Sequence, residues 1–379
     1  MEEQIAELVA KVAALEAHRV SSNTIAAEVY YYLTIPLMVI IHAGFLAYEM
    51  GASRTKHVLV SGMKNILAFA FMIPTFYYFG WFVYCAWQPG IIPTAESWQT
   101  AIDFASPVGE VMGPSLADHS TGVFWGAFTL FACTTASIFS GSVIERIRMV
   151  PFVILAIVLG SFAWVVAAAW GWSAGGWLVT GWGYHDFGAA GVVHMVAGFF
   201  ALGVLINLGP RIGKYNSDGS ANMAIGPHNL PFTLVGLMLI IVGFFGFLAA
   251  CVIYPGEGWS WDANQWANIY GGPTTLSALA FNILMGMGGG IIGAWCITRD
   301  PFWMMSGGLA GIISAASGLD IWWPPMAFAV GFIGGGALRP LANLLDRFKL
   351  DDAVGAVTVH GTIGIWGVVS VGIFASGYE

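Results

Sequence analysis

Two histidines occupy matching places in two short segments. Residues 186–194 read DFGAAGVVH and residues 352–360 read DAVGAVTVH. Each runs from an aspartate to a histidine eight positions on, over small and β-branched residues, and the histidines lie 166 residues apart (360 − 194 = 166). Imidazole takes up and gives up a proton near neutral pH more easily than any other side chain. Two neighbouring imidazoles can share one proton, one ring nitrogen donating and the other accepting. A pair formed by His194 and His360 would suit a proton or a small polar solute, not a bulky substrate. The plainer alternative for either residue is a satisfied hydrogen bond between packed helices.

Composition says which elements must position these residues. The chain has 379 residues, 58% hydrophobic and 9% charged, where a soluble domain carries about 25% charged residues. It is therefore expected to be a membrane protein surrounded by lipid, with abundant Trp at the headgroup level. The formal charge of −8 argues against nucleic acid as a partner. Cys85, Cys133, Cys251 and Cys296 lie in or beside apolar runs, no two at metal-ligand spacing, so neither a disulfide framework nor a metal site is expected. The acidic start, MEEQIAELVAK, does not read as a secretory signal. With no hydrolytic triad and no nucleotide loop, no enzyme activity and no cofactor are expected.

A spanning helix needs about 20 apolar residues. Candidates fall at 27–50, 58–87, 121–143, 150–171, 188–208, 231–253, 272–297, 302–318, 322–345 and 355–376, the eighth being short. Residues 88–120 read as a long loop. Apart from Lys11 and Arg19, the basic residues lie at or near loops after odd-numbered spans: Arg54, Lys56, Lys64, Arg146, Arg148, Arg211, Lys214, Arg299, Arg339, Arg347 and Lys349. The loops after even spans hold acids instead, among them Glu96, Asp118, Asp186, Glu257, Asp262 and Asp320. The positive-inside rule then puts odd loops in the cytoplasm and the N-terminus outside. Asp186 precedes span 5 on the outside, and Asp352 precedes span 10 on the inside. The two segments enter from opposite faces, which predicts an all-α polytopic protein of about ten helices built as two inverted five-helix repeats. A helix rises 1.5 Å per residue, so each histidine should lie about 12 Å in from its aspartate, near the midplane. GMGGGIIGA (286–294) and GFIGGGA (331–337) read as close helix packing.

These motifs resemble the ammonium transporter (Amt/Mep/Rh) superfamily, especially its Amt branch. DFGAAGVVHMVAG and VHGTIGIWG (359–367) are similar to that family's two histidine signatures, and HAGFLAYEMGASRTKH (42–57), FACTTASIFSGSVIERIR (131–148), PHNLP (227–231) and GFFGF (243–247) match in order. The resemblance implies a homotrimer in the inner cell membrane, a pore in each subunit, and eleven spans with the N-terminus outside. It implies that ammonium, or methylammonium as an analogue, is recognised at an outer vestibule and deprotonated. Ammonia then passes two phenylalanines and the paired histidines. By motif the twin histidines are His194 and His360, the phenylalanine gate is Phe131 and Phe247, and the ammonium-binding residues are Trp172, Asp186 and Cys251. An aromatic face such as Trp172 attracts a cation, and Asp186 could equally cap its helix. His228 of PHNLP reads as structural.

The chain also departs from the pattern. Ala127 stands where many members have a second vestibule aromatic, with Phe128 roughly 100° further around the helix. Cys251 stands where many have serine, and a thiol is a weak acceptor. Weaker ammonium binding is the expectation. The sequence ends at ASGYE, directly after the tenth span, where the family has another helix and a tail. Regulators of the PII type, or a fused signalling domain as in sensor members, are the partners that such a tail would imply. At the front, Ile5, Leu8, Val12 and Leu15 follow heptad a/d spacing. Residues 1–22 are therefore expected to form an extracytoplasmic amphipathic helix ahead of a membrane domain at 23–379. A sensor of the same fold, binding ammonium but conducting poorly, is the alternative to a transporter. A metalloprotein using the two histidines lacks further ligands at the same depth.

Overall fold

A computed structural model describes residues 2–113, 121–222, 225–253 and 266–375, without the side chains of 16–24 and 121. Asp118, Glu257, Asp262 and the terminal SGYE lie outside the described residues. In hydrocarbon every backbone polar group must find an internal partner, and the apolar runs are accordingly helical. The helices are α1 (Glu2–Ala52), α2 (Val58–Thr75), α3 (Trp81–Ala86), α4 (Ala95–Ala105), α5 (Thr121–Ser142), α6 (Met149–Val158), α7 (Trp164–Gly171), α8 (Trp177–Trp182), α9 (Val196–Leu208), α10 (Leu230–Ala249), α11 (Leu276–Ile297), α12 (Pro301–Ala316), α13 (Pro324–Arg347) and α14 (Ile363–Phe374). Among the described residues nine stretches are long and apolar enough to cross a membrane, and α12 is a shorter apolar helix. It is the eighth span expected from the sequence, at 16 residues.

Side chains set the helix starts. Asn229 accepts from Phe232 N at 3.0 Å, Thr275 from Ala278 N at 3.0 Å and Asp300 from Phe302 N at 2.9 Å, each capping an N-terminus. Residues 88–120, expected to be a loop, contain α4. Thr94 and Ser97 hydrogen-bond each other's backbone N–H groups in a reciprocal cap. The first helix is continuous from Glu2 into the first span.

Polar contacts sort the loops into two ends. At one end Arg54 binds Glu145, Arg211 binds Asp351 and Arg146 reaches Gly209 O. At the other, Phe187 N donates to Ser317 O, His185 pairs with Asp320, and Tyr270 OH donates to Gly171 O. The first set joins loops after α1, α5, α9 and α13, and the second joins the end of α7 and the loops after α8, α10 and α12. The two aspartate–histidine segments therefore run inward from opposite ends. The glycine-rich stretches meet backbone to backbone: a Cβ on Gly290 would lie 2.0 Å from Gly307 O, and one on Gly335 2.0 Å from Gly290 O.

Candidate functional site

The two segments share one local design. Asp186 Oδ2 accepts from Gly191 N at 2.9 Å and Val192 N at 2.8 Å. Asp352 Oδ2 accepts from Thr358 N at 3.1 Å. Three residues after each aspartate the backbone is left-handed, with φ 67° at Ala189 and 80° at Gly355. Each histidine then sits in a π-helical turn, Ala190–Met195 or Val357–Thr362, a geometry that often marks functional positions. Alanine is disfavoured in the left-handed region and glycine is not. Ala189→Gly is therefore expected to stabilise the fold by up to about 1 kcal/mol, net of glycine's greater unfolded-state freedom. Thermal melting in detergent checks this, and a lowered melting temperature would contradict it.

The imidazoles meet. His194 Nδ1 and His360 Nδ1 are 3.0 Å apart, so one donates and the other accepts. Both rings are buried, and His194 Nε2 has no partner. The close approach requires Gly198 and Gly361, because a Cβ on Gly198 would lie 2.2 Å from Gly361 N.

Apolar rings form a column on the pair, the first face to face and the rest edge to face. Phe247 lies 5.9 Å from His194 between ring centroids, Phe131 4.3 Å from Phe247, and Trp172 4.7 Å from Phe131. All three rings are buried. Trp172 Nε1 donates to Phe187 O at 3.0 Å, and Cys251 Sγ lies 3.4 Å from Phe247 O. Sequence reasoning missed one further ring, Phe244, and set another, Phe128, off the vestibule face. Phe244 stacks on His194 at 5.5 Å, and its spacing of three from Phe247 was the available signal. Phe128 packs on Trp172 at 5.5 Å and also touches Trp81, Tyr84 and Trp164. Ala127 itself is fully buried.

Asp186 is buried, and its oxygens accept from Ser317 Oγ at 2.6 Å and Tyr184 OH at 3.3 Å besides the two backbone amides. Burial pushes this carboxyl up, against the hydrogen bonds that favour its charge. With these donors in place, what Asp186 chiefly offers a cation is its field. Burial opposes a charge on neighbouring His185, yet the Asp320 carboxylate hydrogen-bonded to it raises its pKa overall. At the opposite end, Asp352, Thr358, Arg211, Asp300, Trp303 and Arg339 line a cavity of about 280 Å³. His228 Nδ1 contacts Ser53 O at 2.7 Å. Among the described residues no group of three His, Cys, Asp or Glu is placed to hold a metal ion.

A polytopic helical bundle with a buried imidazole pair under a column of aromatic rings has the build of a membrane permease for a small solute. A family profile described as the Ammonium Transporter Family matches residues 29–379, and the chain belongs to that family, whose members are membrane transporters and not enzymes. The ammonium transporter Amt2 of Archaeoglobus fulgidus is 31% identical over 356 residues, 90% of this chain and 70% of that one. The ammonium transporter Amt1 of Methanocaldococcus jannaschii is 27% identical over 350 residues, 91% of this chain and 80% of the other. A solved structure named Sensor Amt Protein aligns with a TM-score of 0.78 at 25% identity, covering 94% of this chain and 84% of that one. Mep2 of Saccharomyces cerevisiae has the same fold, with a TM-score of 0.73 at 20% identity over 93% of this chain and 74% of its own.

Proposed function

We propose that this protein conducts ammonium across the inner cell membrane as ammonia and a proton. The observation that supports the reading best is the 3.0 Å contact between His194 and His360 beneath the edge-to-face Phe131 and Phe247 rings. Ammonium is held at the outer end by the face of Trp172, the field of Asp186 and the Cys251 thiol. It gives up its proton there to water, and that proton reaches the imidazole pair separately from the ammonia. Ammonia passes the gate of Phe131 and Phe247 to the imidazoles, where a shared proton leaves one nitrogen free to accept. The charge-rich end faces the cytoplasm, and the N-terminus lies outside. Residues 1–22 form an extracytoplasmic helix ahead of the membrane domain, and in a homotrimer their heptad positions meet at the axis. A PII-type regulator or a signalling domain would act from the cytoplasmic face.

Ammonium pulses on purified protein in a supported membrane test this. Ammonium and methylammonium should give current and potassium none. A dry apolar column has no carbonyl ring to replace an alkali ion's hydration shell, whereas ammonium can shed its proton. Potassium current of equal size would refute the mechanism. The sensor reading draws on the likeness to the structure named Sensor Amt Protein; ammonium binding without current would favour it.

A further inference from the structure

Glu49 of α1 and Lys64 of α2 are buried within the spanning part of the bundle, at 0% and 1% exposure. Ionisable groups buried inside a membrane bundle are rare and usually functional. Ser140 of α5 stands between them. Its hydroxyl donates to Glu49 Oε1, and its carbonyl accepts from Lys64 Nζ at 3.2 Å. The second carboxylate oxygen, Oε2, has no partner. A purely structural pair would be expected to satisfy both oxygens.

Glu49 also borders the path below the histidines. A Cβ added to Gly141 would lie 3.6 Å from Glu49 Oε1 and 2.5 Å from Val354 Cγ2. Gly141 and Val354 line, with His360, Tyr48 and Ser306, a cavity of about 10 Å³, room for roughly one water. Gly141, which has no side chain, stands between that space and the carboxylate. In the other direction polar groups continue to the charge-rich end. Asn65 Oδ1 lies 3.4 Å from Ser140 Oγ, Asn65 Nδ2 donates to Ser61 O at 3.4 Å, and Ser61 Oγ lies 2.5 Å from Ser53 Oγ, one residue before Arg54.

We infer that Glu49 is the proton acceptor on the inner side of the twin histidines. The inference rests on the conducting reading above. The proton released by ammonium protonates the imidazole pair; the N–H bond of His360 then breaks, and the proton passes to a water in the cavity and from that water, beside Gly141, to an O–H bond on Glu49. That bond breaks in turn as the carboxyl gives its proton to water entering from the charge-rich end, which carries it to bulk solvent. Lys64 keeps the carboxylate's charge balanced before the transfer. Ammonia leaves separately by the pore.

The test measures ammonium current, ammonium binding and melting temperature on each variant. Glu49→Gln should lower current by roughly a hundredfold, the scale of a lost proton acceptor, with binding and melting unchanged. Glu49→Asp should restore part of the current. Should Glu49→Gln strand Lys64 and fail to fold, Glu49→Gln with Lys64→Gln removes both buried charges and should fold without conducting. Full current in either carboxamide variant overturns the assignment. So does loss of binding and melting stability in step with current in both, which would make the buried pair structural. Wild-type protein that binds ammonium without current overturns the conducting reading itself, a result distinct from any variant's.

Discussion

A leucine at position 198 is expected to part the two histidine helices and abolish conduction. The Cβ alone would lie 2.2 Å from Gly361 N and 2.3 Å from Gly361 Cα. What it meets is backbone, which cannot rotate away as a side chain can. Gly361 follows His360 in the same π-helical turn, so displacing it displaces the imidazole. A 3.0 Å contact between ring nitrogens does not survive a shift of about 1 Å as a hydrogen bond. Gly198→Ala should cost about 1–3 kcal/mol through overpacking and lower the melting temperature while leaving some current. Gly198→Leu should cost more. Protein that still folds should show intact spans and no measurable ammonium current. Melting of Gly198→Ala at the wild-type temperature would contradict the contact.

The histidine pair could be read from the sequence because its signals are independent: an aspartate able to cap, seven residues that are small or β-branched apart from Phe187, a histidine, and loop charges placing the two copies on opposite faces. The π-helical turns could not. Small residues suit either helix form, and the wider turn forms where the capped segment meets its neighbours. Nor could the left-handed Ala189, since the residue type argues against that conformation. Lys64 reads from the sequence as one of the loop charges, but it lies a turn and a half inside α2 and is buried. The pairing that explains its burial comes from Glu49 and Ser140, 15 and 76 positions away (64 − 49 = 15; 140 − 64 = 76), which no local pattern connects. The cap that starts α4 at Thr94 was local and visible, yet the polar residues around it read as loop.

Asp351→Ala is expected to cost about 3–5 kcal/mol, because removing one partner strands buried charge. Asp351 is 1% exposed and Arg211 5%. The guanidinium forks onto the carboxylate, Nε to Oδ2 at 2.8 Å and Nη2 to Oδ1 at 3.0 Å, while Arg211 N donates to Oδ2 at 2.9 Å and Arg146 Nη1 stands 3.6 Å away. Burial by itself would raise the Asp351 carboxyl. The hydrogen bonds and charges of Arg211 and Arg146 outweigh it and hold the pKa below the ordinary value. A depressed folded-state pKa means that the stabilisation is complete above the unfolded value, about 3.9, and is lost as pH falls through the folded value. The melting temperatures of wild type and variant should therefore differ most at neutral pH, begin to converge only below about pH 4, and meet below the folded-state value. Equal melting at pH 7 would show that the cluster contributes nothing. The position of this pair gives it functional weight. Arg211 follows α9, which carries Gly198, and Asp351 precedes the turn that carries His360. The fork thus ties together the ends of both histidine segments, and the variant that survives folding should lose ammonium current before it loses its helices.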